Sequence, residues 1–175
     1  PYPQDAQFFL KKLKNSYSAN DVVNYVKDLK DVKVLVIGDI IIDEYHYCEG
    51  MGKTQKDNII ATRFVSSEQF AGGVLAAANH IAGFCQDVTL LTCAGTGEDY
   101  SKFLQDRLKP NIKTKIYKRK DAPTVVKRRF VDKNFLVKMF EICYLDNMRR
   151  LPESVEKKIY EYLDLELSKF DMVLV

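Results

Sequence analysis

A nearly unbroken run of β-branched and apolar residues, 32–37, indicates the fold class of this 175-residue chain. Such a run is typical of a strand that is covered on both faces, and strands of that kind belong to parallel sheets. Five further segments continue the pattern as helix, strand, helix, helix and strand: 74–84, 88–93, 98–108, 152–167 and 172–175. Because strands that alternate with helices form doubly wound sheets, we predict an α/β fold, a Rossmann-like sandwich of three layers.

Two groups of half-polar segments interrupt this alternation. Residues 45–70 mix apolar with polar side chains, which predicts two half-exposed strands joined by a turn at 50–52. Residues 113–117, 124–131 and 135–142 predict three more strands with exposed basic faces. We expect the two groups to pair as a small separate sheet.

The chain divides into two parts. Residues 1–31 predict a helical N-terminal extension, in which Ser18 or Asn20 caps the second of two helices. Residues 32–175 predict a single domain. The chain opens without Met and closes on an apolar strand, whereas chain ends normally lie at the surface, so we expect a C-terminally truncated fragment of a longer protein.

Composition excludes several classes of protein. Asp39 and Asp43 interrupt the longest apolar runs, which fall far short of the roughly 20 residues of a membrane span, so we expect no membrane partner. The four cysteines form no C-x-x-C pair, which predicts neither a disulfide framework nor a metal site and favours the cytoplasm. The net charge of +3 is too small to indicate a nucleic-acid partner. The basic run 113–129 leaves nucleic-acid binding open, but a solvated sheet face is the favoured interpretation.

The segment Gly38-Asp39-Ile40-Ile41-Ile42-Asp43 is the most informative for function. Ligands of open parallel sheets bind outside the carboxyl ends of the strands, and Asp39 and Asp43 both follow the first strand. A carboxylate there can accept hydrogen bonds from neighbouring hydroxyls of a polyol. Alternatively, one Asp caps the turn and the other is solvated.

Two glycine motifs come next. Gly72-Gly73 precedes an apolar helix, where missing side chains let a ligand approach the helix N-terminus or simply permit a turn with positive φ. Gly95-x-Gly97 has Tyr100 in place of a third glycine, and no G-K-[ST] follows. The sequence therefore supports neither a dinucleotide fingerprint nor a P-loop.

The order and spacing of these motifs resemble the ribokinase-like (PfkB) family of carbohydrate kinases. That family has a first strand ending in G-D-x-x-x-D, a β lid, a G-G turn into an apolar helix, and a strand followed by a G-x-G-x-D-like turn. The run Pro123-Thr124-Val125-Val126-Lys127-Arg128-Arg129 is similar to the P-T-x-x-K-x-R strand of the heptose-7-phosphate kinase module, which is often fused to a nucleotidyltransferase. The resemblance covers about residues 32–175, the N-terminal half of such a kinase.

The resemblance implies roles for individual residues. Asp39 and Asp43 match residues that hold sugar hydroxyls, and Gly72 and Gly73 match the pair that lets the sugar pack against the helix. Residues 45–70 match the lid, which often forms the contact of a homodimer.

Two more positions follow from the resemblance, and one departs from it. Lys127 and Arg129 match positions where a phosphorylated sugar is paired by charge. The heptose kinases usually have G-G-A-A-N, with an Asn that grips the sugar, whereas this chain has Ala76 there. Asn79, one turn further along, is the candidate substitute.

The resemblance implies the sugar-binding half of an ATP-dependent kinase that transfers the γ-phosphate to a hydroxyl of a sugar or sugar phosphate. ATP and Mg²⁺ are expected in the complete protein. The G-A-G-D motif with the catalytic base is absent from this chain, so it holds no catalytic residue of its own and we expect it to be inactive alone. The alternative is a non-catalytic module for sugar sensing, dimerisation or support of a fused nucleotidyltransferase.

Overall fold

A computed structural model describes residues 2–145 and 150–175 as two four-stranded sheets with five α-helices. The helices are α1 Gln4–Ser16, α2 Ala19–Asp28, α3 Val74–Ile81, α4 Ser101–Arg107 and α5 Glu153–Glu166. The strands are β1 Lys33–Ile37, β2 Ile40–Lys53, β3 Ile60–Gly73, β4 Asp87–Thr96, β5 Ile112–Pro123, β6 Val125–Asp132, β7 Lys138–Tyr144 and β8 Met172–Leu174.

The main sheet is parallel and has the strand order β5-β4-β1-β8. On one face, Val34 and Val36 of β1 lie beside Val88 and Leu90 of β4 and are buried with side chains of α3 and α4. On the other face, the Tyr117 hydroxyl donates to a backbone carbonyl of α5. Helices therefore cover both faces, and the predicted three-layer α/β fold is confirmed.

The second sheet, here called the lid sheet, has the order β3-β2-β6-β7. Strands β2 and β3 form a long antiparallel hairpin, β6 runs parallel to β2, and β7 runs antiparallel to β6. The hairpin turns at residues 54–59, where the Thr54 N–H donates to the Ile59 carbonyl over 3.0 Å. The turn expected at 50–52 is instead part of β2, where the register shifts between Gly50 and Gly52.

Residues 113–117 differ from the prediction. They lie in β5, at the edge of the main sheet, and pair in parallel with β4 rather than joining the lid sheet. The reason lies in the alternation of the strand: Ile112 and Ile116 pack on the core side while the intervening lysines stay exposed. A basic edge strand therefore has the same sequence pattern as a lid strand.

The N-terminal extension forms the two expected helices. Ser18 caps α2 in a reciprocal capping box with Asp21, which satisfies two backbone donors at the helix start. Neither α1 nor α2 has a buried residue. The extension therefore contributes nothing to the core of the domain, which lies between the main sheet, α3 and the base of the lid sheet.

Candidate functional site

Four of the predicted site residues meet where the chain crosses from β1 into the lid sheet. Asp39 follows the carboxyl end of β1, and Asp43 lies in β2 beside the end of β3, which contains Gly72 and Gly73. The backbone N–H of Val74, the first residue of α3, donates to the Asp39 carbonyl over 3.2 Å. This junction lies at the edge of the sheet where ligands of parallel α/β folds bind.

Gly72 leaves room for the carboxylate of Asp43. A Cβ atom at Gly72 would lie 2.1 Å from Asp43 Oδ2 and 3.2 Å from the Ile41 carbonyl oxygen. Only the first of these contacts is impossible for a real side chain, so it is the orientation of Asp43 that requires glycine here. The space above Gly72 therefore holds a carboxylate oxygen.

Gly73 is required by the backbone. Its φ of +53° lies in the left-handed region, and a Cβ would lie 2.8 Å from the Asp39 carbonyl oxygen. The turn with positive φ, one of the two interpretations of the glycine pair, describes this residue.

Two cavities open beside the junction. One, of about 540 Å³, is mostly apolar and lies between the end of β8 and α3, with Asp39, Ile41 and His80 in its lining. The other, of about 300 Å³, lies at the carboxyl ends of β4 and β5 and includes Tyr100 and Lys118. The junction thus has space for a small molecule on either side.

Tyr100 has the most perturbed hydroxyl near these cavities. Burial, together with the charges of Glu98 and Glu44, raises the pKa of Tyr100 to about 12. The phenol therefore stays protonated at neutral pH and can only donate or accept hydrogen bonds in its neutral form.

Arg129 joins the site from β6. Its Nη1 donates to Asp43 Oδ1 over 2.5 Å, its Nε lies 2.7 Å from Glu141 Oε2, and its guanidinium carbon lies 5.3 Å from the centre of the Tyr45 ring. The hydrogen bond to Asp43 raises the pKa of the Arg129 guanidinium, against a smaller opposing effect of burial. Two of the three guanidinium nitrogens, Nη1 and Nε, thus contact carboxylates.

Lys127 lies on the same face of the lid sheet, because it is the register partner of Asp43. Within residues 2–145 and 150–175 it makes no hydrogen bond or ion pair. Lys138 of β7 completes the basic group, with its Nζ 5.8 Å from the centre of the Tyr45 ring. Sequence reasoning included Lys138 only in a general basic face and missed its place at the site.

Asn79 does not join this group. Its side-chain amide donates to the Arg107 carbonyl over 2.8 Å and accepts from the Lys109 N–H over 2.9 Å, at the end of α4. Both polar atoms of the amide are used to hold α3 against the loop after α4. The structure therefore places this predicted site residue in a helix–helix contact.

Sequence reasoning also missed a buried cluster on the opposite face of the lid sheet. Glu44, only 3% exposed, accepts hydrogen bonds from Arg128 Nε over 2.6 Å and Gln69 Nε2 over 2.8 Å, and His46 Nε2 lies 3.6 Å away. Burial acts to raise the pKa of Glu44, but the hydrogen bonds from Arg128 and Gln69 outweigh it and hold the pKa below 4.5. The cluster ties β2, β3 and β6 together.

The basic run 113–129 does not form one surface. Lys113, on the main sheet, pairs with Asp87 over 2.9 Å, whereas Arg128 and Arg129 point to opposite faces of the lid sheet and pair with carboxylates there. The positive charges are therefore dispersed over two sheets, and several are paired with carboxylates, which disfavours the nucleic-acid interpretation.

The described residues show neither a metal site nor a membrane-spanning helix. They contain no group of three or more His, Cys, Asp or Glu side chains that could hold a metal ion. Their helices are all too short or too polar to span a membrane.

The fold of this chain is similar to that of several solved structures. Ribokinase from Giardia lamblia superposes with a TM-score of 0.53 at 16% identity, over 81% of this chain and 40% of that one. Phosphofructokinase-2 from Escherichia coli, in complex with fructose-6-phosphate, gives 0.52 at 14% identity over 77% and 42%. A possible 1-phosphofructokinase from Thermotoga maritima gives 0.54 at 15% identity over 81% and 43%.

The chain has the ribokinase-like fold. It spans about two fifths of the length of these structures. No protein-family model and no curated protein matches the sequence. At 14–16% identity, the likeness to these structures concerns the fold.

Proposed function

We propose that this chain is the sugar-binding half of an ATP-dependent carbohydrate kinase, which transfers a phosphoryl group to a sugar hydroxyl. The observation that carries the proposal is the Asp39–Asp43–Gly72–Gly73 junction at the carboxyl end of β1 in a ribokinase-like fold. Asp39 lines the larger cavity and Asp43 follows it on β2, and a pair of carboxylates suits a polyol, whose adjacent hydroxyls each donate a hydrogen bond.

The two aspartates have different freedom in this site. The Asp39 side chain makes no hydrogen bond within the described part of the chain, so both of its oxygens can accept from a sugar. Asp43 uses Oδ1 for Arg129 and keeps Oδ2 above Gly72. We propose that Asp39 grips the sugar with freedom to adjust, while Asp43 sets its orientation.

We further propose a sugar phosphate as the acceptor, as in the heptose-7-phosphate kinases. Lys127 supports this, because it is the register partner of Asp43, lies on the same face of the lid sheet and forms no ion pair among the described residues. An ammonium in that position can neutralise a phosphate that is attached to the same sugar. Among the proteins of this fold, phosphofructokinase-2 from Escherichia coli was solved with fructose-6-phosphate bound.

ATP and Mg²⁺ do not fit the residues that this structure describes. The described side chains form no metal-binding group, and the junction offers carboxylates rather than a cradle of backbone donors for phosphates. We therefore propose that the complete protein holds ATP and Mg²⁺ with other residues. This chain alone is expected to bind the acceptor and to have no kinase activity.

The lid sheet is the proposed contact of a homodimer. On the face that carries Glu44, a row of rings crosses all four strands, from Phe64 through His46 and Phe130 to Phe140. The outer rings are exposed, Phe64 at 58% and Phe140 at 52%. An exposed aromatic row of this length is a candidate for burial against a second copy.

The helical extension and the cysteines support two smaller proposals, one on a further domain and one on the cellular compartment. Helices α1 and α2 expose large apolar side chains such as Phe8, Phe9 and Val23, which suits packing against a further domain, for which we propose a nucleotidyltransferase. All four cysteines are free, as expected of a cytoplasmic protein.

Thermal denaturation of this chain with a panel of sugars, sugar phosphates, ADP and ATP tests the proposal. A ligand that binds only the folded state at a hundredfold excess over Kd stabilises it by about 2.7 kcal/mol. We expect a clear rise in Tm with one sugar phosphate and none with nucleotides. A rise with nucleotides alone would contradict the assignment of this half to the acceptor.

A further inference from the structure

We infer that Arg129 is a positioning residue, which fixes the carboxylate of Asp43, and that it does not bind an anionic group of the substrate. The part of this inference that concerns sugar affinity rests on the proposed function. The part that concerns Asp43 stands on the geometry alone.

The charges around Arg129 disfavour the binding of an anion. Arg129 contacts two carboxylates, Asp43 at 2.5 Å and Glu141 at 2.7 Å, so its single positive charge is opposed by two negative ones. A phosphate approaching this guanidinium would meet both carboxylates at close range. Lys127 and Lys138, which lack such short ion pairs among the described residues, are the cations of this face that remain for an anion.

The contacts of Arg129 on β6 extend to both neighbouring strands, β2 and β7. Arg129 is the register partner of Tyr45 on β2 and of Glu141 on β7, so the planar guanidinium lies between its neighbours with Tyr45 beneath it. Its fork reaches Asp43, two residues before Tyr45 and therefore on the same face of β2. Lysine has one ammonium and could not hold both carboxylates in this plane.

The Asp43 carboxylate occupies the space that a side chain at Gly72 would need. The bond from Arg129 goes to Asp43 Oδ1, and Oδ2 lies where a Cβ of residue 72 would be, at 2.1 Å. Asp43 thus stays in space that only glycine leaves open. If Arg129 is what keeps it there, then loss of Arg129 should let the carboxylate move away and make room for a methyl group.

A double-mutant cycle measures this coupling without any ligand. We expect Gly72→Ala to raise the unfolding equilibrium constant, from urea titrations, at least tenfold more in the wild-type background than in Arg129→Gln, a coupling of about 1.4 kcal/mol. Lys127→Gln is the matched control, since it removes a charge from the same strand and face without a bond to Asp43. Its effect should add to that of Gly72→Ala.

Two results would overturn the inference. One is additivity of Gly72→Ala with Arg129→Gln; the other is equal coupling to Lys127→Gln. If Gly72→Ala alone does not fold, the double variant Gly72→Ala/Arg129→Gln should fold, and a double variant that is equally unfolded contradicts the coupling.

Ligand titrations separate positioning from phosphate binding, with fructose and fructose 6-phosphate as probes. A positioning role predicts that Arg129→Gln weakens the binding of fructose and of fructose 6-phosphate by a similar factor, about tenfold. Lys127→Gln is expected to weaken only the binding of fructose 6-phosphate. Loss of phosphate binding alone in Arg129→Gln would overturn the inference. If neither probe binds the wild-type chain, the proposed function fails for these sugars, and the double-mutant cycle still decides the role of Arg129.

Discussion

The two faces of the lid sheet carry the same pair of charges in different surroundings. On one face Asp43 meets Arg129 beside Gly72, with Lys127 on the same face. On the other face the buried Glu44 carboxylate meets Arg128, which is itself partly exposed. Because adjacent residues of a strand point to opposite faces, neighbours in sequence have been separated into a site and a structural tie.

The carboxylates of the two ion pairs differ in how accessible they are to a ligand. Both oxygens of Glu44 accept hydrogen bonds within the protein, from Arg128 and Gln69, and the residue is only 3% exposed, so a ligand cannot reach this carboxylate. Asp43 has one oxygen committed and one that faces a glycine. The accessibility of the carboxylate, 24% for the Asp43 side chain against 4% for that of Glu44, rather than the presence of a charge, distinguishes the candidate site.

The largest expected effect breaks the structural tie. Arg128→Ala would leave the buried Glu44 carboxylate without its cation, and such losses cost about 3 kcal/mol of folding free energy. Urea denaturation measures the change. Arg129→Ala is the control at the pair with the more exposed carboxylate, since the Asp43 side chain is 24% exposed and that of Glu44 is 4% exposed. It should cost clearly less, and a larger loss for Arg129→Ala would reverse the assignment of the two faces.

A functional change tests the other face. In the complete protein, Asp39→Ala is expected to abolish turnover while the chain still folds, because the site would lose the carboxylate that grips the sugar. Steady-state assays together with circular dichroism check this. Turnover at the wild-type level would remove Asp39 from the proposed site.

The dependence of stability on pH sharpens the comparison. Since folding holds the pKa of Glu44 below 4.5, its contribution to stability is present above about pH 4.5 and is lost as the pH falls through the lower, folded-state value. Glu44→Gln should therefore flatten the acid limb of a plot of Tm against pH. Glu153→Gln, at an exposed position of α5, is the matched control, and an equal flattening in both variants would contradict the role of Glu44.

The smallest effect concerns Asn79. Asn79→Ala removes two hydrogen bonds to the loop after α4, and we expect a loss of about 1–2 kcal/mol in the free energy of unfolding with no change in sugar affinity. Denaturation and ligand titration on the same variant measure both quantities. A selective loss of sugar affinity would return Asn79 to the site.

The fold was predictable because its signals are local. The apolar run 32–37 and the helices and strands that follow it alternate in a way that only a parallel sheet satisfies. Edge strand β5 was predicted for the other sheet, since its alternating lysines do not reveal which neighbour it pairs with.

The site was predictable only in part. Asp43 and the Gly72–Gly73 pair stand out as motifs, but Asp43 and Arg129 are 86 residues apart in sequence and meet through strand register. Register also decides that Arg129 contacts Glu141 and that Lys138 lies near Tyr45. No pattern within a single strand indicates which charge on a neighbouring strand it will meet.

The central claim is that this chain binds the acceptor sugar through Asp43. Isothermal titration of the wild-type chain and of Asp43→Ala with the sugar phosphate selected by the thermal panel, and with ATP, tests it most directly. We expect the sugar phosphate to bind the wild-type chain and not the folded Asp43→Ala variant. We expect ATP to bind neither protein. Sugar binding that survives Asp43→Ala, or binding of ATP to the wild-type chain, would contradict it.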